Sequence, residues 1–164
     1  MLPDQSEFLQ RMPIFGALGA DALQVLLERA RTVVLPAGGY FFHERDPADS
    51  MFVLEAGRAV VIKRWRGRDF VINDLAAGDC FGEMALMDLQ PRSASVRAEA
   101  ECRAIEIGND DLMHLYERDL EQFTLLQMNI GREVCRRLRA TDDLLFRARM
   151  GESPAGPDSF FRPA

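Results

Sequence analysis

A chain of 164 residues, 48% apolar and 28% charged, is long enough to bury its own core in one domain plus an appendage, without staples. Its net charge of −6 and pI near 5.0 exclude the broad basic field with which nucleic-acid-binding domains gather phosphates. Cys80, Cys102 and Cys135 lie far apart, away from His43 and His114 and with no CxxC pair, which argues against a zinc or iron–sulfur centre and for free thiols in a reducing cytoplasm.

No basic region followed by an apolar run opens the sequence, and no stretch is long and apolar enough to cross a bilayer, so neither a signal peptide nor a membrane partner is expected. Residues 8–31 read as helical, broken by a short turn at Pro13-Ile14-Phe15-Gly16. Asp21 is placed to cap a helix whose Leu23, Leu26, Leu27 and Ala30 share one face.

From Thr32 to Gly108 the texture changes to short β-branched and aromatic runs separated by Gly, Pro and Asp. The runs are Thr32-Val33-Val34-Leu35, Tyr40-Phe41-Phe42, Met51-Phe52-Val53-Leu54, Ala59-Val60-Val61-Ile62, Phe70-Val71-Ile72 with Leu75, Ala94-Ser95-Val96-Arg97 and Cys102 to Ile107. Strands at this spacing predict a β-barrel or sandwich. The basic run Lys63 to Arg68 reads as an exposed turn. Phe81-Gly82-Glu83-Met84-Ala85-Leu86-Met87 breaks the alternation and favours a short helix between strands.

After Gly108, Asn109-Asp110-Asp111 can cap a short helix to about Tyr116, and a long helix follows over about 119–148. On a helical wheel Phe123, Ile130, Val134, Leu138, Thr141, Leu145 and Ala148 share a face, opposite Arg132, Arg136, Arg139, Asp143 and Arg147. A stripe that long exceeds what a small barrel can cover, so pairing with a second copy is expected, the alternative being that it folds back on its own barrel. Gly151 to Ala164, rich in Pro and Gly, reads as a disordered tail, with Phe160 and Phe161 as its only candidates for docking.

The chemistry concentrates in Phe81 to Val96. A helix starting after Gly82 aims unpaired backbone N–H groups at what precedes it, and the glycine admits a ligand close to the backbone. Arg92 follows Glu83 by nine residues, where it can return across a turn to a phosphate, and Ser93 adds a hydroxyl donor. Glu83 offers a carboxylate to a sugar hydroxyl. Taken singly, each has a structural explanation: a dipole partner, a surface arginine, a turn glycine.

The segments Ala77-Gly78-Asp79-Cys80-Phe81-Gly82-Glu83-Met84-Ala85-Leu86 and Pro91-Arg92-Ser93-Ala94-Ser95-Val96 resemble the phosphate-binding cassette of cyclic nucleotide-binding domains, known from the catabolite activator family, protein kinase A regulatory subunits and cyclic nucleotide-gated channels. Leu35-Pro36-Ala37-Gly38 and Asp46 to Gly57 resemble the family's first two turn-and-strand signatures, and the resemblance spans about residues 8–148. It implies an α+β fold, mainly an antiparallel β-roll, with N-terminal helices over residues 1–116, a long dimerisation helix over 117–150 and a tail over 151–164. It also implies that Arg92 pairs with the cyclic phosphate, that Ser93 and the backbone of Met84 and Ala85 complete the phosphate cradle, and that Glu83 and Gly82 hold the ribose. Ser93 and Ala94 are similar to the catabolite activator pair, and Thr141, with Asp142 beside it, stands where a threonine of the dimer helix contacts adenine. A hydrogen bond from Thr141 to the carbonyl one turn earlier is the alternative for its hydroxyl.

Two departures are plain. Arg45 replaces a glycine usual in the family, in a turn expected to lie away from the cassette, and Asp142 stands where a serine fits the pattern. Gly151 to Ala164 is too short for a winged helix-turn-helix, so direct DNA binding is not expected from this chain. The implied function is a cytoplasmic sensor of a cyclic mononucleotide, cyclic AMP ahead of cyclic GMP, acting as a homodimer on a downstream protein. No enzymatic activity and no cofactor are expected, since no nucleophile–base pair or metal-ligand cluster is seen. A fragment of a Crp/Fnr-type transcriptional regulator and a ligand-free dimerisation module remain open.

Overall fold

The computed structural model describes residues 3–151 and 162–164. Helix α1 (Pro3–Gln10), a 3-10 turn (Pro13–Phe15) and α2 (Ala20–Leu27) come first. Gly19, not Asp21, is the N-cap of α2, and Asp21 instead sits in the first turn, where its charge suits the helix dipole. Eight strands follow, with one helix among them: β1 (Arg31–Leu35), β2 (Tyr40–Phe42), β3 (Ser50–Ala56), β4 (Arg58–Trp65), β5 (Arg68–Ala76), β6 (Cys80–Phe81), α3 (Met84–Asp88), β7 (Ser95–Ala98) and β8 (Cys102–Gly108). Helices α4 (Asn109–Arg118) and α5 (Leu120–Arg149) come next.

The strands form two antiparallel sheets, ordered β1-β8-β3-β6 and β2-β7-β4-β5, the second extended by β9 (Arg162–Pro163). The fold is thus α+β with an antiparallel β-roll at its centre. Alternation along two strands builds both cores. From β3, Phe52 and Leu54 point between the sheets with Ala59, Leu75, Phe81 and Val96. Met51 and Val53 point the other way, to a helical layer containing Leu23, Leu26 and Leu115. In β8, Cys102 and Ala104 join the first core, and Ile105 and Ile107 the second.

Most expected strands form where the sequence puts them. The two-residue β6 was not anticipated, because two residues carry no periodicity. The β4–β5 hairpin turns through Arg66 and Gly67, both at positive φ, as a two-residue turn matching strand twist demands. Residues 152–161 of the expected tail lie outside the described residues; beyond them, Arg162 and Pro163 pair with Val71 and Phe70 on the edge of β5.

Helix α5 divides its length between two environments. Leu126 and Ile130 are fully buried against the chain's own helical core, with Phe123 packed beside them. Asn129 donates to the Gly16 carbonyl (2.8 Å), and Gln122 accepts from the Gly19 amide (2.8 Å). From Leu138 onward every α5 residue is exposed. The wheel face drawn from sequence is therefore not one surface: its N-terminal part covers this chain's own barrel. The open face is instead Met128, Gly131, Cys135, Leu138, Asp142 and Leu145, at alternating spacings of three and four. Among the described residues, no helix is long and apolar enough to cross a membrane.

Candidate functional site

Phe81 ends β6 inside the aromatic cluster of Phe41, Phe42 and Phe52, stacking on Phe52 with ring centroids 5.4 Å apart. That anchor fixes where the next residues leave the sheet. Gly82 follows at φ +80, and a Cβ there would sit 2.7 Å from Arg92 Nη1. Glycine is therefore required twice, by its backbone and by the guanidinium lying against it. In this structure the group that approaches the Gly82 backbone is the Arg92 side chain itself.

Arg92 lies in the segment between α3 and β7 with 6% of its surface exposed. Nη1 donates to the Ser50 carbonyl (2.7 Å) and the Gly82 carbonyl (3.1 Å), and Nη2 donates to Ser50 Oγ (3.2 Å). The guanidinium carbon stands 4.0 Å from the centroid of Phe42, a cation–π contact. Every acceptor is a neutral oxygen, and Nε has no partner. Burial lowers the Arg92 pKa, opposed by the negative charges of Asp49, Glu106, Asp46 and Glu83.

Glu83 is the N-cap residue of α3 and only 1% exposed. Its Oε1 accepts from Arg137 Nη1 of α5 (2.7 Å), and Arg137 Nη2 also donates to the Cys80 carbonyl (2.6 Å). Glu133, one turn earlier on α5, steadies Arg137 Nε at 3.1 Å. Oε2 of Glu83 has no partner. Among the described residues, the buried side-chain polar atoms left without a partner are Glu83 Oε2 and Arg92 Nε, one acceptor and one donor, both in the cassette. A buried polar group without a partner costs about 1–3 kcal/mol, so two in one segment need an explanation.

The other expected site residues are distributed around this pair. Met84 is exposed and Ala85 buried at the start of α3; Ser93 is exposed and Ala94 buried beside Arg92. Thr141 and Asp142 are exposed on α5, one turn beyond Arg137, and are not joined to the cassette. The Thr141 hydroxyl donates to the Arg137 carbonyl (2.9 Å), the alternative noted from sequence.

Sequence reasoning missed two contributors. The sequence assigned Arg137 no role at the site, yet it is the cation that meets Glu83. The Arg45 turn was expected to lie away from the cassette, and it does not: the Arg45 amide donates to the Arg92 carbonyl (2.8 Å), and the Arg92 amide donates to the Asp46 carbonyl (2.9 Å). Arg45 adopts φ +75, the left-handed conformation a glycine would take without strain. The family's glycine was the available signal: where it is replaced, the conformation still has to be met.

Glu44, in the same turn, is raised by burial but lowered more by hydrogen bonds from Lys63 and the Arg64 amide, leaving its pKa below the ordinary 4.5. The stabilisation it lends is complete above that value and is lost as pH falls through the folded one. Burial and the nearby Glu83 charge push the Cys80 thiol up, so Cys80 is inert, whereas Cys135 is exposed. Among the described residues, no cluster of His, Cys, Asp and Glu is placed to hold a metal ion.

Gly82→Ala tests the packing of this segment. The new methyl group must displace Arg92 and hold a strained φ, so a loss of about 2 kcal/mol is expected in urea unfolding.

The chain is 34% identical over 108 residues to the cAMP-dependent protein kinase regulatory subunit of Emericella nidulans, a match covering 66% of this chain and 26% of that protein. It is 28% identical over 145 residues to the CRP-like cAMP-activated global transcriptional regulator of Mycobacterium tuberculosis, covering 85% of this chain and 63% of that protein. The chain thus spans only part of the length of these relatives. Its structure superposes with a TM-score of 0.70 on the N-terminal domain of a transcriptional regulator from Streptomyces coelicolor A3(2), at 30% identity, covering 84% of this chain and 94% of that one. The model of the cyclic nucleotide-binding domain matches residues 32–119, more than half of the chain. This protein belongs to the cyclic nucleotide-binding domain family.

Proposed function

We propose that the chain is a non-enzymatic cyclic AMP sensor whose ligand sits on the Gly82–Glu83–Arg92 cassette and whose occupancy is passed through α5 to a downstream protein. The observation that carries this is the pair of buried orphans, Glu83 Oε2 and Arg92 Nε. Both atoms are sealed from solvent in this arrangement, so once the cassette side chains turn toward a cyclic nucleotide its ribose hydroxyl donates to the first and its phosphate oxygen accepts from the second, and one ligand satisfies both. Ser93 and the first amides of α3 add donors for the phosphate. Adenine over guanine is supported by the names of the two relatives and by Ser93 and Ala94. Three free thiols suit a cytoplasmic location.

Transmission is supported by Arg137, which ties α5 to the Glu83 carboxylate proposed to hold the ribose. A ligand shifts an arrangement only by binding one form better than another, and contact with Glu83 gives it that leverage. With the base seated, Thr141 is one turn from Arg137 and within the helix that would move.

The test is calorimetric titration with cyclic AMP, cyclic GMP and 5′-AMP. Cyclic AMP is expected to bind with micromolar or tighter affinity and 5′-AMP at least about 100-fold more weakly. Failure of all three to bind or to raise the melting temperature removes the sensor reading. Glu83→Gln should weaken cyclic AMP at least about tenfold but leave 2′-deoxy cyclic AMP nearly unchanged, because a charge-assisted hydrogen bond is worth about 1.5–3 kcal/mol.

The open face of α5 supports a parallel homodimer. A Cβ on Gly131 would meet nothing within 4 Å, leaving room for a second helix to approach closely. In a two-fold parallel pair Cys135 faces its own copy. Mild oxidation should therefore link the dimer through Cys135 and leave Cys135→Ser unlinked; an antiparallel or monomeric chain gives no such product.

A further inference from the structure

Lys63 belongs in sequence to the basic hairpin run, but it stands apart from the tip. It pairs with Phe70 in the β4–β5 register, two residues before Trp65. Its ammonium donates to the Ser93 carbonyl and lies 3.0 Å from Glu44 Oε1. Glu44 is held from two further sides: Oε2 accepts from the Arg64 amide (3.2 Å), and its own amide donates to Ser95 Oγ (2.8 Å). With the Arg45 and Asp46 contacts to the Arg92 main chain, residues 92, 93 and 95 are each fixed by the 44–46 turn or by Lys63.

We propose that the Lys63–Glu44 pair is a positioning device for the phosphate end of the cassette, setting the orientation of Ser93 without touching the ligand. This rests on the cyclic nucleotide reading of the site. The Ser93 carbonyl and the Ala94 amide belong to one peptide plane, so a cation on the carbonyl sets the plane and the exit of the Ser93 side chain beside Arg92. Glu44 in turn sets the ammonium, because a lysine stem alone leaves its head free to rotate. Without the pair, that peptide must be ordered by the ligand at the ligand's expense.

The test measures affinities of wild type, Lys63→Met, Lys63→Arg and Glu44→Gln for cyclic AMP and for its Sp and Rp phosphorothioates, alongside melting temperatures. Lys63→Met and Glu44→Gln are expected to weaken cyclic AMP about five- to tenfold, with Lys63→Arg within about twofold of wild type. The Sp-to-Rp ratio is expected to shift in the weakened variants, because only the phosphate end is disturbed. A structural role alone would weaken both diastereomers equally and lower the melting temperature, and that result overturns the proposal. So does unchanged affinity in both Lys63→Met and Glu44→Gln when wild type binds. A wild type that binds no cyclic nucleotide overturns the cassette reading and this proposal with it.

Discussion

Arg92→Met is expected to lose at least about 100-fold in cyclic AMP affinity while leaving folding stability within about 1 kcal/mol of wild type. The two halves of that expectation have different origins. A guanidinium at 6% exposure has given up most of its hydration, and in return it holds three neutral oxygens and the faces of Phe42 and Phe52. Desolving an ion costs several kcal/mol, and with no carboxylate among those acceptors the recovery is partial. Methionine keeps much of the volume and the contact with Phe42 but removes the charge. It leaves the Ser50 and Gly82 carbonyls without this donor, at about 1 kcal/mol each. Gain and loss are similar in size, so the melting temperature should move by no more than about 4 °C. Binding has no such compensation on the proposed reading, in which the phosphate loses its positive partner. A variant that unfolds together with its binding would mean that Arg92 is primarily a structural strut.

Arg137→Ala is expected to cost about 2 kcal/mol of stability and to release α5 from Glu83 and the Cys80 carbonyl. Glu83 is 1% exposed, and Arg137 is the cation that meets it at 2.7 Å. Removing one partner of such a pair leaves a stranded buried charge, worth about 3–5 kcal/mol when both ends are buried. Arg137 is 41% exposed, so solvent screening reduces that figure. A double-mutant cycle with Glu83→Gln should recover a coupling of about 1–2 kcal/mol, and hydrogen exchange should rise in α5 beyond residue 137. Coupling near zero would show that α5 is held by buried Leu126 and Ile130 together with Asn129 and Gln122, without help from Arg137, and that ligand at Glu83 has no lever on the helix.

The roll was legible because its strands are short, β-branched and separated by Gly, Pro and Asp, and because β3 and β8 alternate between two cores. The candidate site was drawn from Gly82, Glu83 and Arg92 in one segment, and the structure brings Arg92 against Gly82 beside Glu83. What escaped were contacts between residues distant in sequence. A helical wheel over α5 cannot tell which turns lie on this chain's own barrel, so Ile130 and Leu138 were drawn on one face although one is buried and the other 59% exposed. Arg137 and Lys63 looked like solvated charges because their partners, Glu83 and the Ser93 carbonyl, are brought near only by strand and helix register. Arg45 looked remote for the same reason: its turn is 47 residues from Arg92 and adjacent to it in space.

The most direct measurement is a nitrogen-15 NMR titration that follows the Arg92 Nε–H and the amides of Met84 and Ala85 as cyclic AMP is added. A large, saturable shift of all three, at one ligand per chain, is expected from a phosphate seated on the orphaned donor at the start of α3. Saturable binding that leaves the Arg92 Nε–H unmoved would place the ligand elsewhere and contradict the cassette as its site.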